Sequence, residues 1–220
     1  MTGTHSPRGT LPEAVVRRIG RVAADGDWKA LTPLPLVRAV DGGRVDQATA
    51  VRVAHDGGRL LVRFDCVDRD IWATRTGHDD ALWEEEVVEL FLAPGADDPA
   101  EYFEIQANPL GTVFDARVAN PDGARSSMRV DKSWHARGID VRIDRSSPGV
   151  WRASIAIPWE ALTRGDPPPV WRGNFFRIER PRDGAVEHSC WSPTLADPAD
   201  FHKPGAFGRL LVQTGSTGDR

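Results

Sequence analysis

The sequence lacks several features, and each absence excludes a class of protein. No apolar run approaches the roughly 20 residues that cross a bilayer, and the N-terminus has no apolar signal core. No basic stripe with interleaved aromatics appears, which argues against nucleic acid as a partner. The chain as given therefore predicts a cytoplasmic protein without a membrane span, or an extracellular one if its start has been trimmed.

Cysteine is also scarce, since Cys66 and Cys190 are the only two and stand far apart in the chain. A disulfide between sheets and two buried free thiols are both open, and the free thiols are the simpler interpretation.

What the chain has is a series of short alternating segments separated by Gly, Pro, Asp and Asn. Over 220 residues with a net charge of −4, about ten strands and no helical pattern of useful length can be counted. This spacing predicts an all-β fold, an antiparallel β-sandwich of immunoglobulin-like or jelly-roll type. We predict a disordered tail over 1–12, one sandwich domain over 13–213 and a C-terminal tail over 214–220. The predicted strands cover residues 49–55, 59–67, 82–92, 102–108, 112–118, 139–143, 151–157, 171–180, 189–193 and 207–213, with one helical turn at 159–162.

The segment 82–92 places a carboxylate in the middle of a core strand. Val88, Leu90 and Leu92 share one face, which leaves Glu89 on the other. A carboxylate is costly to bury unpaired, so Glu89 faces water or a polar site.

The next strand, 102–108, alternates cleanly and presents Glu104, Gln106 and Asn108 on its polar side. Only a Pro-, Gly- and Asp-rich loop separates the two strands, so they are expected to pair antiparallel and to bring Glu89, Gln106 and Asn108 together. An acid and two amides supply both acceptors and donors, which suits the hydroxyl groups of a sugar.

Tryptophan is unusually frequent, with eight against one tyrosine. Surface tryptophans commonly hold flat apolar faces such as sugar rings. We expect Trp28 to close one end of the core, and Trp151, Trp159 and Trp171 to lie in the core.

Several segments together resemble the family 9 carbohydrate-binding modules and their family 9-like, DOMON-like relatives. They are residues 83–92 (WEEEVVELFL), 102–111 (YFEIQANPLG), 156–159 (AIPW), 191–193 (WSP) and 202–208 (HKPGAFG). The resemblance extends from about residue 28 to 212. It implies a β-sandwich that binds a mono- or oligosaccharide without catalysis, for which a carbohydrate-active enzyme is a candidate partner.

The resemblance also implies site residues. Family members clamp a terminal sugar between two tryptophans, and here Trp83 and Trp191 match them. Glu89 matches the acid and Asn108 an amide, while Gln106 replaces an arginine and His188 an asparagine. Both replacements still form hydrogen bonds, so sugar binding is retained as a prediction while the particular sugar is open.

Family members hold structural calcium, although no ligand set can be matched here. Asp65, Asp68 and Asp70 have a suggestive spacing but lack the glycine and distal glutamate of an EF-hand loop, so acidic turn residues are the simpler interpretation.

Other readings stay open beside sugar binding. Trp83 and Trp191 could pack in the core, and Glu89 could pair with Arg177 or Arg180. Glu89 and Glu104 could act as the acid and base of a glycoside hydrolase. The domain could be an interaction module that has lost its site. In a DOMON-type haem domain, Met128 would be a ligand, yet it has no obvious histidine partner in the sequence.

Overall fold

The computed structural model describes residues 10–20 and 25–213. Residues 1–9 and 214–220, which hold most of the two predicted tails, lie outside this part of the chain. Pro12 belongs to the ordered structure, because its carbonyl accepts a 2.9 Å hydrogen bond from the Arg209 N–H.

Fourteen strands and two short helices form the described chain. The strands are β1 (Glu13–Arg18), β2 (Leu34–Pro35), β3 (Val37–Arg38), β4 (Thr49–His55), β5 (Arg59–Val67), β6 (Val87–Pro94), β7 (Glu101–Ala107), β8 (Val113–Ala119), β9 (Arg129–Asp131), β10 (Asp140–Asp144), β11 (Val150–Pro158), β12 (Val170–Glu179), β13 (Glu187–Cys190) and β14 (Gly208–Val212). The helices are α1 (Asp25–Ala30) and α2 (Trp159–Leu162).

Two sheets share strand β1. The first sheet has the order β1-β14-β12-β6-β7-β8-β9, with β13 on β12 and β3 on β13, and the second has the order β10-β11-β5-β4-β1 with β2 on β4. All pairs are antiparallel except those of β1, which runs parallel to both β14 and β4. The predicted sandwich is confirmed, and β1 is the exception to its antiparallel pairing.

The main core lies between the two sheets. Val88, Leu90 and Leu92 of β6 point into it, where they meet Val62 and Phe64 from β5. The strand predicted over 82–92 from its period-two pattern is thus confirmed for the second half of that segment. Its first half is wrong, because Leu82–Glu84 forms a 3₁₀ turn and the strand begins at Val87.

Alternate side chains of the first sheet form a second apolar cluster on its outer face. Val87, Phe91, Tyr102, Phe114 and Phe176 belong to it. Since the polar side chain of Glu89 shares this face with Val87 and Phe91, the outer face carries the candidate site.

Trp28 packs away from the main core. It lies with Leu31, Ala54 and Leu61 in a small cluster on the outer face of the second sheet. The expectation that it closes one end of the core was wrong, because α1 folds across that outer face.

The cysteines lie in different sheets, Cys66 on β5 of the second and Cys190 on β13 of the first. Cys66 faces the main core and Cys190 the outer cluster, and both are buried free thiols. Burial raises the pKa of each thiol to about 12. Within the described ranges, no helix has the length and apolar character needed to cross a membrane.

Candidate functional site

A cavity of about 420 Å³ opens on the outer face of the first sheet. Its floor is polar and consists of Glu89, Glu104 and Gln106. Aromatic, basic and sulfur-containing side chains form the walls. They include Trp83, Phe114, Arg125, Met128, Lys132, Arg180, His188, Phe201 and His202.

Strand pairing assembles the floor. Glu89 of β6 stands directly opposite Gln106 of β7, and Glu104 precedes Gln106 by two residues on the same face. Directly opposite side chains lie about 4.5–5.5 Å apart at Cβ, and diagonal ones remain within reach of long side chains. The predicted neighbourhood of Glu89 and Gln106 is therefore confirmed.

Glu89 is a buried acid without a hydrogen-bonded partner among the described residues, and Arg125 supplies a nearby positive charge. Its exposed fraction is 2%, and no described residue forms a hydrogen bond or an ion pair with its carboxyl group. Burial, and after it the negative charge of Glu104, raises the pKa of Glu89 well above its ordinary value. The raised pKa favours the protonated form of Glu89, which can donate as well as accept a hydrogen bond.

Glu104 and Gln106 form a pair on β7. The Gln106 amide Nε2 donates to Glu104 Oε1 over 2.7 Å, while burial raises the pKa of Glu104 to about 7. Gln106 Oε1 is buried and has no hydrogen-bond partner among the described residues. Since buried polar atoms are nearly always paired, the floor has hydrogen-bonding capacity left for a ligand.

Two histidines line the walls in their neutral forms. Burial lowers the pKa of His202 to about 4, and burial together with the charge of Arg180 lowers the pKa of His188. The Tyr102 hydroxyl lies 2.7 Å from His202 Nδ1 and fixes that ring. Each imidazole can therefore offer a neutral donor or acceptor at pH 7.

Trp83 stands at the edge of the cavity on the 3₁₀ turn. It is 38% exposed, and Phe114 supports it edge-on at a centroid distance of 5.3 Å. The Lys132 ammonium lies 5.6 Å from the Trp83 ring and 4.9 Å from Phe114. Trp83 is thus a large, partly open aromatic surface held in place by its neighbours.

Trp191 lies on the opposite side of the sheet. It is buried in the main core and packs against Phe175 at a centroid distance of 5.7 Å. The structure therefore does not bring Trp83 and Trp191 together as a pair of platforms. Trp191 stands three positions after His188, and this odd spacing places the two side chains on opposite faces of an extended chain.

Asn108 is also outside the cavity. Its Oδ1 accepts 3.0 Å hydrogen bonds from the Leu110 and Thr112 N–H groups, and its Nδ2 donates to the Arg75 carbonyl over 2.8 Å. These bonds close the turn that follows β7. Asn108 falls just after the strand, where the alternation that predicted its direction has ended.

The suggested ion pair of Glu89 with Arg177 is not formed. The Arg177 guanidinium is buried and binds Glu86 at 2.8 Å and Asp68 at 3.1 Å instead. Arg180 lines the cavity, but it too forms no ion pair with Glu89 in the described structure.

The three aspartates with calcium-like spacing do not fit that ion. Asp68 binds Arg177, and Asp70 binds Arg182. Asp65 is held by Arg52 at 2.6 Å and by Arg152 at 3.1 Å. Arginines pair with all three carboxylates. Asp65 lies within β5, so only Asp68 and Asp70 are acidic residues after a strand end. Structural calcium stays a prediction.

Several cavity residues were not predicted from the sequence. Arg125, Phe201 and His202 come from irregular segments that have no periodicity to indicate their direction. Met128 lies in the cavity wall with His188 and His202, which the sequence had not suggested. The haem alternative that involves Met128 stays a prediction.

Comparisons with known proteins identify the fold and the family. A Bacteroides uniformis protein proposed to bind carbohydrate shares 19% identity with a TM-score of 0.73, covering 91% of this chain and 99% of its own. A family 9 module of Caldicellulosiruptor kristjanssonii has been solved with glucose and with cellotriose. Both structures share 12% identity with a TM-score of 0.65 and cover 94% of this chain, and the matches span 99% and 96% of their own chains. These likenesses show the fold.

In sequence, an "Extracellular protein" of Arthroderma benhamiae is 27% identical over 173 residues, which is 74% of this chain and 78% of the relative. Residues 44–212 match the sequence model of carbohydrate-binding family 9. This match spans most of the chain, including every strand from β4 to β14, and the chain therefore belongs to carbohydrate-binding family 9.

Proposed function

We propose that the outer-face cavity binds one sugar residue, free or at the end of an oligosaccharide, without cleaving it. Trp83 stacks on the sugar ring. The hydroxyl groups of the sugar form hydrogen bonds with Glu89, Glu104, Gln106 and His188. The observation that carries this proposal is the floor, where Gln106 Oε1 is buried without a hydrogen-bond partner among the described residues and the Glu89 side chain is 2% exposed beside it. Trp191 and Asn108 have no part in it.

A cavity of about 420 Å³ falls within the usual range for small-ligand sites. Sugar hydroxyls exchange water hydrogen bonds for protein ones, so the expected affinity is millimolar to micromolar, or about −4 to −8 kcal/mol. Because a family 9 structural neighbour was solved with glucose and cellotriose, these two sugars are the first probes.

The test is calorimetric titration of the full chain with glucose and cellotriose. Trp83→Ala should weaken binding by about 1–3 kcal/mol through the loss of stacking. Trp191→Phe is the matched control: it changes a tryptophan on the opposite face and should leave sugar affinity unchanged. Thermal melts verify that both variants fold.

Two results would contradict the proposal. One is normal binding by a folded Trp83→Ala variant. The other is the absence of binding to a broad panel of mono- and oligosaccharides, which would favour an interaction domain that has lost its site. A panel that includes chemically reduced ends tests the chain end, since only a chain-end site loses binding on reduction.

A glycoside hydrolase is the second candidate, because Glu89 and Glu104 are two buried acids in one cavity. Hydrolases place their carboxyl groups on the two sides of the scissile bond, with separations of about 5–10 Å. Here both acids come from paired strands of one floor, which supports binding over cleavage. Release of products from cellotriose over a day, abolished by Glu89→Gln, would instead establish an enzyme.

A further inference from the structure

Four side chains with metal-binding atoms converge at the edge of the first sheet. His78 and Asp79 come from the segment 71–81, Asp115 from β8 and His135 from the segment that follows β9. Asp115 is next to the cavity residue Phe114 on the same strand, so the two side chains point to opposite faces. The cluster is therefore separate from the sugar cavity.

His78, Asp79 and His135 each offer a ligand atom within 4.8 Å of the other two, and Asp115 Oδ1 lies beside both rings, at distances mostly close to those of a tetrahedral metal site. His78 Nε2 lies 3.3 Å from His135 Nδ1, 3.3 Å from Asp115 Oδ1 and 3.5 Å from Asp79 Oδ1. His135 Nδ1 lies 2.9 Å from Asp115 Oδ1. Nitrogen and oxygen ligands bound to Zn²⁺ at about 2.0–2.1 Å in a tetrahedron stand about 3.3–3.4 Å from each other.

The protein itself holds the two carboxylates in place. The buried Asp115 accepts a 2.7 Å hydrogen bond from the Ala136 N–H through Oδ2, which leaves Oδ1 directed at the histidines. Asp79 has a left-handed backbone with φ of 62°, and its N–H donates to the Val113 carbonyl over 3.1 Å. The side chains of His78 and His135 are 50% and 49% exposed, so an ion can enter from solvent.

Hydrogen bonds between histidine and carboxylate explain only part of this arrangement. His135 can donate to Asp115, and His78 can donate to either aspartate. The two ring nitrogens also lie 3.3 Å apart, a hydrogen-bond distance when one ring carries the proton and the other accepts it. One cation in place of that proton can be bound by both ring nitrogens and by the carboxylate oxygens beside them.

We propose that His78, Asp79, Asp115 and His135 bind one divalent transition-metal ion, for which Zn²⁺ is the best fit. Two imidazole nitrogens and two carboxylate oxygens in a tetrahedron are typical Zn²⁺ ligands. Calcium prefers six to eight oxygen ligands and is a poor match. The ion joins the segment 71–81, which leads to Trp83, to β8 and to the segment after β9.

The test uses the full chain, stripped of metal with a chelator and titrated with Zn²⁺ or Ca²⁺ in a calorimeter. We expect one Zn²⁺ per chain and a higher thermal midpoint with Zn²⁺ in excess, since the ion binds only the folded state. His78→Ala and His135→Ala should each weaken Zn²⁺ binding at least tenfold. Co²⁺ in place of Zn²⁺ should give the intense visible bands of tetrahedral coordination.

His188→Gln is the matched control, because it changes a histidine in the sugar cavity and should leave Zn²⁺ affinity unaltered. Both metal-site histidines are half exposed, so the metal-free variants should melt as the metal-free wild type does. His78→Gln serves as a second variant if His78→Ala melts early. The proposal is overturned if the folded wild type binds no Zn²⁺, or if its affinity is the same in the His78 and His135 variants.

Discussion

At the scale of single residues, buried polar side chains in this protein fall into two kinds. Asn108 has partners for both its oxygen and its nitrogen and closes a turn. Glu89 is equally buried but has no partner among the described residues. A satisfied side chain serves stability, whereas an unsatisfied one beside a cavity marks a place for a ligand.

Asn108→Ala is therefore expected to lower stability and leave sugar affinity unchanged. The substitution leaves the Leu110 and Thr112 N–H groups without their partner, at a cost of about 1–3 kcal/mol each if they stay dry, while the Arg75 carbonyl keeps its hydrogen bond from the Thr112 hydroxyl. Urea unfolding measures the loss, and titration of the folded variant measures binding. A variant of normal stability with weakened sugar binding would show that Asn108 contributes to the binding site.

The sequence predicted those residues whose direction follows from strand alternation. Glu89 and Gln106 lie within β6 and β7, and their pairing was predictable from two polar faces joined by a short loop. Trp191 and Asn108 lie one residue beyond β13 and β7, where the alternation no longer decides direction. For Trp191, its odd spacing from His188 was the available signal.

At the scale of elements, a buried ion cluster ties strand ends of the two sheets together. Arg177 of β12 donates to Glu86 just before β6 and to Asp68 just after β5. It also donates to Thr49 Oγ1 at the start of β4 and to the Val67 carbonyl at the end of β5, at 3.1 and 2.7 Å. One guanidinium thus joins β12 in the first sheet to β4 and β5 in the second.

Arg177→Met should destabilise the fold by about 3–5 kcal/mol, because it leaves two buried carboxylates without their cation. Arg182→Met is the matched control: it removes an arginine from the exposed pair with Asp70, and the effect should be much smaller. Chemical unfolding of both variants gives the comparison. Equal losses would mean that the buried pair has no special part in joining the sheets.

The elements that escaped prediction are those that depend on distant partners. β1 has the mixed pattern EAVVRR and becomes a strand because β14 and β4 lie on either side of it. β9 has three exposed residues and is defined only by its pairing with β8. The long strands β4 and β5 were predicted with their observed bounds, since burial of one face imposes a regular alternation.

At the scale of the whole molecule, the acids of the cavity floor make stability depend on pH. The folded chain holds the pKa of Glu104 at about 7 and that of Glu89 well above its ordinary value, because both are buried. The unfolded chain releases these protons near pH 4.5. The contribution of these two groups to stability is therefore fully present below that pH and is lost as the pH rises through 7.

The double variant Glu89→Gln/Glu104→Gln should remove most of this dependence. A rise from 4.5 to about 7 for Glu104 corresponds to about 3 kcal/mol lost by the wild type between pH 4.5 and 8, and Glu89 adds to it. Urea unfolding at pH 5 and 8 gives the change in unfolding free energy for the wild type and for the variant. The other titrating groups contribute equally to both proteins and cancel when the two changes are subtracted. If the free energy of unfolding changes with pH equally in the wild type and the double variant, both carboxyl groups are exposed to water in the folded chain. The buried cavity floor on which the sugar proposal rests would then be contradicted.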